Sequence, residues 1–172
     1  MSRISTAAIG SISVTTLRDG ERTLPPEALK NLSNEDAAKI NSDDNQSLTF
    51  TNFNACVIQN GTQNLLVDTG CGNLFGPTCG FILDALDELD LTSDDITDIF
   101  ITHLHPDHIG GCIDEDNSAV FKNSSFKIVE EEYNFWTSKE FGSDEINGTD
   151  WSSLAKKVLS AYNDRLEVLT GQ

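Results

Sequence analysis

At 172 residues with 38% hydrophobic positions, the chain is long enough to bury one core. Its 28 acidic residues against 11 basic ones give a formal net charge of −17, which argues against nucleic acid or an anionic membrane as partner, because no basic surface is left to neutralise phosphates. No stretch has the length and apolarity to span a bilayer, and Met1-Ser2-Arg3-Ile4-Ser5-Thr6 lacks the apolar core of a signal peptide, so a cytoplasmic location is the default expectation.

In chain order, Ile9 to Leu17 alternates apolar and small polar residues and predicts a strand. Asp19-Gly20 is expected to turn it into a short second strand through Leu24, which Pro25-Pro26 ends. Ser33-Asn34-Glu35-Asp36 is a capping sequence for a short helix through Ile40, followed by a polar loop from Asn41 to Gln46. Phe50 to Gln59 and Gln63 to Asp68 predict a hairpin about Asn60-Gly61. Phe81, Ile82, Ala85, Leu86 and Leu89 recur at helical spacing, so Cys79 to Asp90 is expected to be an amphipathic helix laid on a sheet.

Thr92-Ser93-Asp94-Asp95 caps a further turn before a strand over Thr97 to Thr102. Beyond it come a strand over Phe126 to Val129, a helix over Glu131 to Lys139, and a helix over Trp151 to Arg165 with Leu154, Val158 and Tyr162 on one side. Leu166 to Leu169 closes the series as a strand. Nothing resembling a repeat or a low-complexity linker divides the chain, so residues 1–172 are expected to form one domain of alternating strands and helices. The acidic runs, Asp84 to Asp90, Asp94-Asp95, Asp114-Glu115-Asp116 and Glu130-Glu131-Glu132, read as solvated faces. Cys56, Cys71, Cys79 and Cys112 form no CxxC pair and read as small buried or semi-buried residues of a reducing compartment.

The chemistry is concentrated after the strand ending Ile99-Phe100-Ile101. All three histidines of the chain lie in His103-Leu104-His105-Pro106-Asp107-His108, directly before Ile109-Gly110-Gly111. Neutral imidazole and carboxylate are the nitrogen and oxygen donors that zinc and similar divalent ions take. In a loop leaving the strand's C-terminal edge, His103 and His105 project to one side by the period-two rule and can hold one ion. Pro106 fixes its own φ and helps turn the chain so that Asp107 and His108 face a second ion. Two ions about 3.5 to 4 Å apart can hold a bridging hydroxide and stabilise a developing oxyanion. Histidines packed this closely without a metal would repel one another when protonated.

Thr102-His103-Leu104-His105-Pro106-Asp107-His108-Ile109-Gly110-Gly111 resembles the HxHxDH signature of the metallo-β-lactamase superfamily, and Leu65-Leu66-Val67-Asp68-Thr69-Gly70 resembles that family's strand ending in an Asp-Thr-Gly turn. Leu17-Arg18-Asp19-Gly20 followed by Leu24-Pro25, together with Leu74-Phe75-Gly76-Pro77-Thr78, resembles the methyl parathion hydrolase branch, whose members hydrolyse organophosphate triesters, esters or lactones. The resemblance implies an α/β fold, the αββα sandwich, of which this chain would form the N-terminal βα half and the start of the second, truncated at the C-terminus. It makes His103 and His105 ligands of one metal, and Asp107 and His108 ligands of the other, with Asp107 at the reactive site. Asp68 becomes a hydrogen-bond acceptor beneath the metal loop, of the kind that orients a ligating imidazole. Phe75 and Trp136 fall where the branch places aromatic residues around the leaving group.

The resemblance also implies three donors that this chain does not contain: a further histidine for the first metal, a bridging aspartate and a last histidine for the second. One half of a sandwich would further leave an apolar sheet face exposed. Two readings follow. The first is a hydrolase using two divalent ions, zinc by expectation, and a metal-bound hydroxide against a small uncharged ester, lactone or phosphotriester, as a monomer or a homo-oligomer. The second is a noncatalytic truncated remnant or half-domain that binds metal weakly or needs a complementary chain.

Overall fold

The computed structural model describes residues 2–23, 33, 35, 50–138, 145–146 and 149–171. The strand end at Leu24-Pro25-Pro26, most of the helix expected over Ser33 to Ile40, and the Asn41 to Gln46 loop lie outside the described residues. The strands are β1 (Ile4–Ile9), β2 (Ile12–Thr23), β3 (Phe50–Asn60), β4 (Gln63–Val67), β5 (Asp98–Ile101), β6 (Ser125–Val129), β7 (Glu145–Ile146), β8 (Thr149–Asp150) and β9 (Leu166–Leu169). The α-helices are α1 (Ile82–Asp87), α2 (Pro106–Ile109), α3 (Glu130–Thr137) and α4 (Trp151–Ala161). Seven strands form one sheet in the order β1-β2-β3-β4-β5-β6-β9, while β7 and β8 make a small separate hairpin.

The sheet divides into an antiparallel part, β1 to β4, and a parallel part in which β4, β5, β6 and β9 run the same way. Parallel neighbours need crossovers, and α1 and α4 lie in two of them. The core fills the space between one sheet face and the helices: Leu17, Val57, Leu66, Ile99, Ile101, Phe126 and Ile128 meet Ile82, Leu86, Trp136, Leu154 and Val158. On the other face Leu65, Val67, Phe100 and Val129 are only half-buried. Parallel strands normally have both faces covered, so this face carries the incomplete burial expected of a single layer. Among the described residues no helix is long and apolar enough to cross a membrane.

Several expected boundaries move. The first strand splits at Gly10-Ser11, where Gly10 (φ 64°) opens a two-residue hairpin loop that pairs Ile9 with Ile12. Asp19-Gly20 does not turn the chain: β2 runs through it, and the register shifts between Arg18 and Gly20, leaving Asp19 as a bulge. The β3–β4 loop is Gly61-Thr62, one residue later than expected, with Asn60 still paired to Gln63. The helix over Cys79 to Asp90 shrinks to α1, because Gly80 (φ 92°) and Asp90 (φ 56°) both leave helical geometry. The last helix ends at Ala161 and continues as a 3-10 turn, Asn163–Arg165. Leu154, Val158 and Tyr162 share the buried side, with Tyr162 capping the helix.

Candidate metal centre

Parallel pairing of β4 with β5 brings the residues that follow both strands to one sheet edge. Asp68, directly after β4, adopts a left-handed conformation (φ 60°), which aspartate tolerates better than most residues. Its carboxylate is buried there, 6% exposed. One oxygen accepts from the Thr102 amide at 2.9 Å and the Thr102 hydroxyl at 3.1 Å; the other accepts from that hydroxyl at 2.9 Å and pairs with His108 Nδ1 at 2.8 Å. A carboxylate can only accept, so the shared proton sits on Nδ1, and Nε2 is the nitrogen left facing outward, with a lone pair to offer once its own proton is lost. Nε2 lies 3.4 Å from an Asp107 oxygen.

The four clustered residues are brought together. The His103 ring centroid is 4.4 Å from that of His105 and 3.9 Å from that of His108, and the Thr102 hydroxyl lies 3.1 Å from His103 Nδ1. Burial pulls the His105 pKa below its ordinary value, and the neighbouring His103 adds to this, which favours the neutral ligand form. Burial also pulls His108 down, but hydrogen bonds and charge from Asp107 and Asp68 outweigh it and push its pKa up to about 9. Burial raises the Asp107 carboxyl, and its contacts with His108 reverse this to a net lowering.

The short helix α2 that carries Asp107 and His108 is fixed from below by the Asp-Thr-Gly turn. The Thr69 amide and hydroxyl both donate to the His108 carbonyl, at 2.7 and 2.9 Å, and the Gly111 amide donates to the Gly70 carbonyl at 3.2 Å. Gly110 and Gly111 permit this contact: a Cβ on Gly110 would collide with the Cys71 carbonyl, and one on Gly111 with the Thr69 carbonyl. Asp19 braces the turn in its own way. Its buried carboxylate accepts from the Cys71 amide at 2.9 Å and the Gly80 amide at 3.3 Å.

Phe75 and Trp136 are both buried, 8% and 2% exposed. Phe75 packs with Phe53, Cys71 and Cys79, and Trp136 sets its ring edge against His105, with centroids 5.8 Å apart. Two further residues of the centre escaped the sequence reading. Trp151 packs on His105 at 4.9 Å, and Glu132, read as part of a solvated acidic run, is half-buried and accepts from the Leu104 amide. The Glu132–Trp136 spacing of four on a helix was the available signal for the second; nothing local pointed to Trp151. A separate cleft of about 1010 Å³, bounded in part by Gly72, Gly110 and Lys157, is lined by none of the four candidate ligands.

The donor types and the orientation of His108 fit a divalent ion. Among the described residues, however, no three His, Cys, Asp or Glu side chains stand ready as a group to hold one.

Residues 48–142 match the model of the metallo-beta-lactamase superfamily. No curated protein matches the chain by sequence. Among solved structures, the chain is similar to AidC, a dizinc quorum-quenching lactonase in complex with a product, with 26% identity and a TM-score of 0.82 over 98% of this chain and 61% of that one. It is similar in fold to the hydrolase AbOPH of the beta-lactamase superfamily, with 23% identity and a TM-score of 0.80 over 99% of this chain and 62% of that one. A probable metal-dependent hydrolase from Staphylococcus aureus shares the fold at 21% identity and a TM-score of 0.73, over 95% of this chain and 61% of that one. The chain thus spans about three fifths of the length of these solved structures.

Proposed function

The chain belongs to the metallo-beta-lactamase superfamily, and from that premise we propose that it is a metal-dependent hydrolase of small uncharged esters, with lactones as the first substrates to try. The observation that carries this reading is the Asp68–His108–Asp107 chain of contacts beside His103 and His105. It orients one imidazole, keeps a carboxylate ionised next to it and gathers three nitrogen donors at one sheet edge. In this reading His103 and His105 hold one zinc ion, and Asp107 and His108 the other. When bound, such ions supply Lewis acidity that ionises water near pH ~7 and draws off charge from a carbonyl or phosphoryl oxygen.

The chain's own part is positional. Asp68 keeps the His108 proton on Nδ1, Thr69 and Gly111 hold the backbone of α2 still, and Trp136 and Trp151 restrict the His105 ring. The lactone choice draws on the similarity to a product-bound lactonase. The Leu17-to-Gly20 and Leu74-to-Thr78 motifs extend it to phosphotriesters, as in the methyl parathion hydrolase branch. Trp136 backs His105, and in this reading it and Phe75 would shape the apolar side of a substrate site.

A second reading, a half-domain that binds metal weakly until another chain supplies donors, is favoured by the lack of any ready three-donor group among the described residues. Metal analysis after dialysis, together with turnover of an N-acyl homoserine lactone, an aryl ester and a phosphotriester, separates the two. The hydrolase reading expects close to two zinc ions per chain and turnover of the lactone. Zinc below one ion per chain, with no turnover of any of the three, would reject it in favour of the half-domain.

A further inference from the structure

The peptide between the first two candidate ligands is held from a neighbouring helix. Leu104, itself fully buried, sends its amide to Glu132 Oε2 of α3 at 3.1 Å, and the same oxygen accepts from the Trp136 indole at 2.8 Å. Glu132 and Trp136 are four residues apart and so lie on one helix face. The Trp136 ring meets His105 edge-on, with an interplanar angle of 84°, and Trp151, the first residue of α4, meets the same imidazole at 63°. These are the two tryptophans of the chain, and both touch one histidine.

We propose that Glu132 is a positioning residue for His103 and His105: one carboxylate oxygen ties the peptide between these ligands to Trp136, and Trp136 with Trp151 forms the slot that fixes the His105 ring. The physical logic is that of an outer partner to a metal ligand, applied to the ligand's backbone and ring face rather than to its second nitrogen. His108 receives its orientation through Asp68; among the described residues no carboxylate hydrogen-bonds to the His105 ring, which is oriented through this brace instead. The proposal rests on the metal-dependent reading above for its functional consequence, and on the contacts alone for its structural one.

Three variants separate the elements of the brace. Glu132→Gln keeps an oxygen that can accept both bonds and removes the charge; Glu132→Asp keeps the charge and withdraws the oxygen; Glu132→Leu removes both. Zinc affinity, measured by competition with a chromogenic chelator, should fall about 10- to 100-fold in Asp and Leu and stay close to the wild-type value in Gln. Wild-type affinity in Glu132→Asp would overturn the proposal, and this variant carries the test should Glu132→Leu fail to fold. A second readout needs no metal. In chelator-treated protein, tryptophan emission and the ring ¹⁵N signals of His105 should shift in Asp and Leu but not in Gln, and no shift in either would overturn the proposal. A wild-type chain that takes up no zinc while the ring signals shift as expected sinks the metal reading and leaves the brace standing.

Discussion

Gly110→Ala sets two physical effects against each other with opposite signs. Gly110 has helical backbone angles, φ −60° and ψ −30°, so conformational preference alone predicts that alanine stabilises the protein by about 0.5 to 1 kcal/mol. The surroundings predict the reverse. A Cβ at this position would lie under 3.0 Å from three backbone atoms, the carbonyl carbon and oxygen of Cys71 and the carbonyl oxygen of Pro106. None can swing aside as a side-chain tip can, so relief of the two closest contacts, both to Cys71, requires the Asp-Thr-Gly turn and α2 to part.

Parting them weakens the two bonds from Thr69 to the His108 carbonyl and the bond from Gly111 to Gly70. Overpacking of this kind costs up to about 3 kcal/mol, and each weakened hydrogen bond adds up to about 1 kcal/mol. Against the helical gain, a net destabilisation of roughly 3 kcal/mol follows. For a chain of this size that lowers Tm by about 6 to 12 °C. The assay is thermal and urea unfolding of metal-free wild type and Gly110→Ala, with Gly10→Ala as control. At Gly10 the added methyl meets nothing within 4 Å, and only the positive φ is disfavoured. A Gly110 variant as stable as wild type would refute the claim that this seam is rigid backbone against backbone.

Asp68→Asn should offer an amide N–H to His108 Nδ1, which drives the ring proton to Nε2 and blocks the outward lone pair; zinc affinity should drop about 10- to 100-fold, and an unchanged value in chelator competition would contradict the assigned orientation. Tyr162→Phe removes a buried hydroxyl that donates to the Cys112 carbonyl at 2.8 Å and accepts from the Phe121 amide at 3.3 Å. Two buried backbone groups then lose their partner, so urea unfolding should show a loss of about 2 to 3 kcal/mol, and a loss under about 0.5 kcal/mol would mean that water or a backbone shift replaces the bond. Burial works against ionisation of Asp98, but hydrogen bonds from Thr97, Ser125 and Lys127 hold its carboxyl below the usual range. Because the folded pKa is depressed, that stabilisation is complete above the unfolded value and fades as pH falls through the folded one. The stability gap between wild type and Lys127→Met should therefore narrow from about pH 5 to about pH 3, and a gap that holds constant would remove Asp98 from the account.

The histidine loop was legible because its signal is local: residue types at fixed spacing after an apolar strand need no tertiary information, and the structure brings the three imidazoles and Asp107 next to one another. The Glu132 brace was illegible for the opposite reason. A carboxylate in Glu130-Glu131-Glu132 looks like its solvated neighbours until the Leu104 amide, 28 residues away, is placed beside it. Asp19-Gly20 misled because turns and bulges draw on the same residues; what decides is that the Cys71 and Gly80 amides close on the aspartate. β1 was overlooked because it is a largely exposed edge strand, where alternation brings no burial and leaves no periodic trace.

The histidines lie within six residues of one another, whereas Asp68 reaches His108 from 40 residues away. On the proposed reading, the unfolded chain therefore keeps all three imidazoles close together and loses what aims them, Asp68 on His108 and the Glu132, Trp136 and Trp151 contacts around His105. If zinc binds there as proposed, it has partners in both the unfolded and the native chain, and its protection against unfolding follows the ratio of the two affinities rather than the native affinity alone. Folding contributes selectivity of geometry to this centre more than it contributes donors, and a thermal-shift screen will understate how tightly the folded chain holds its metal.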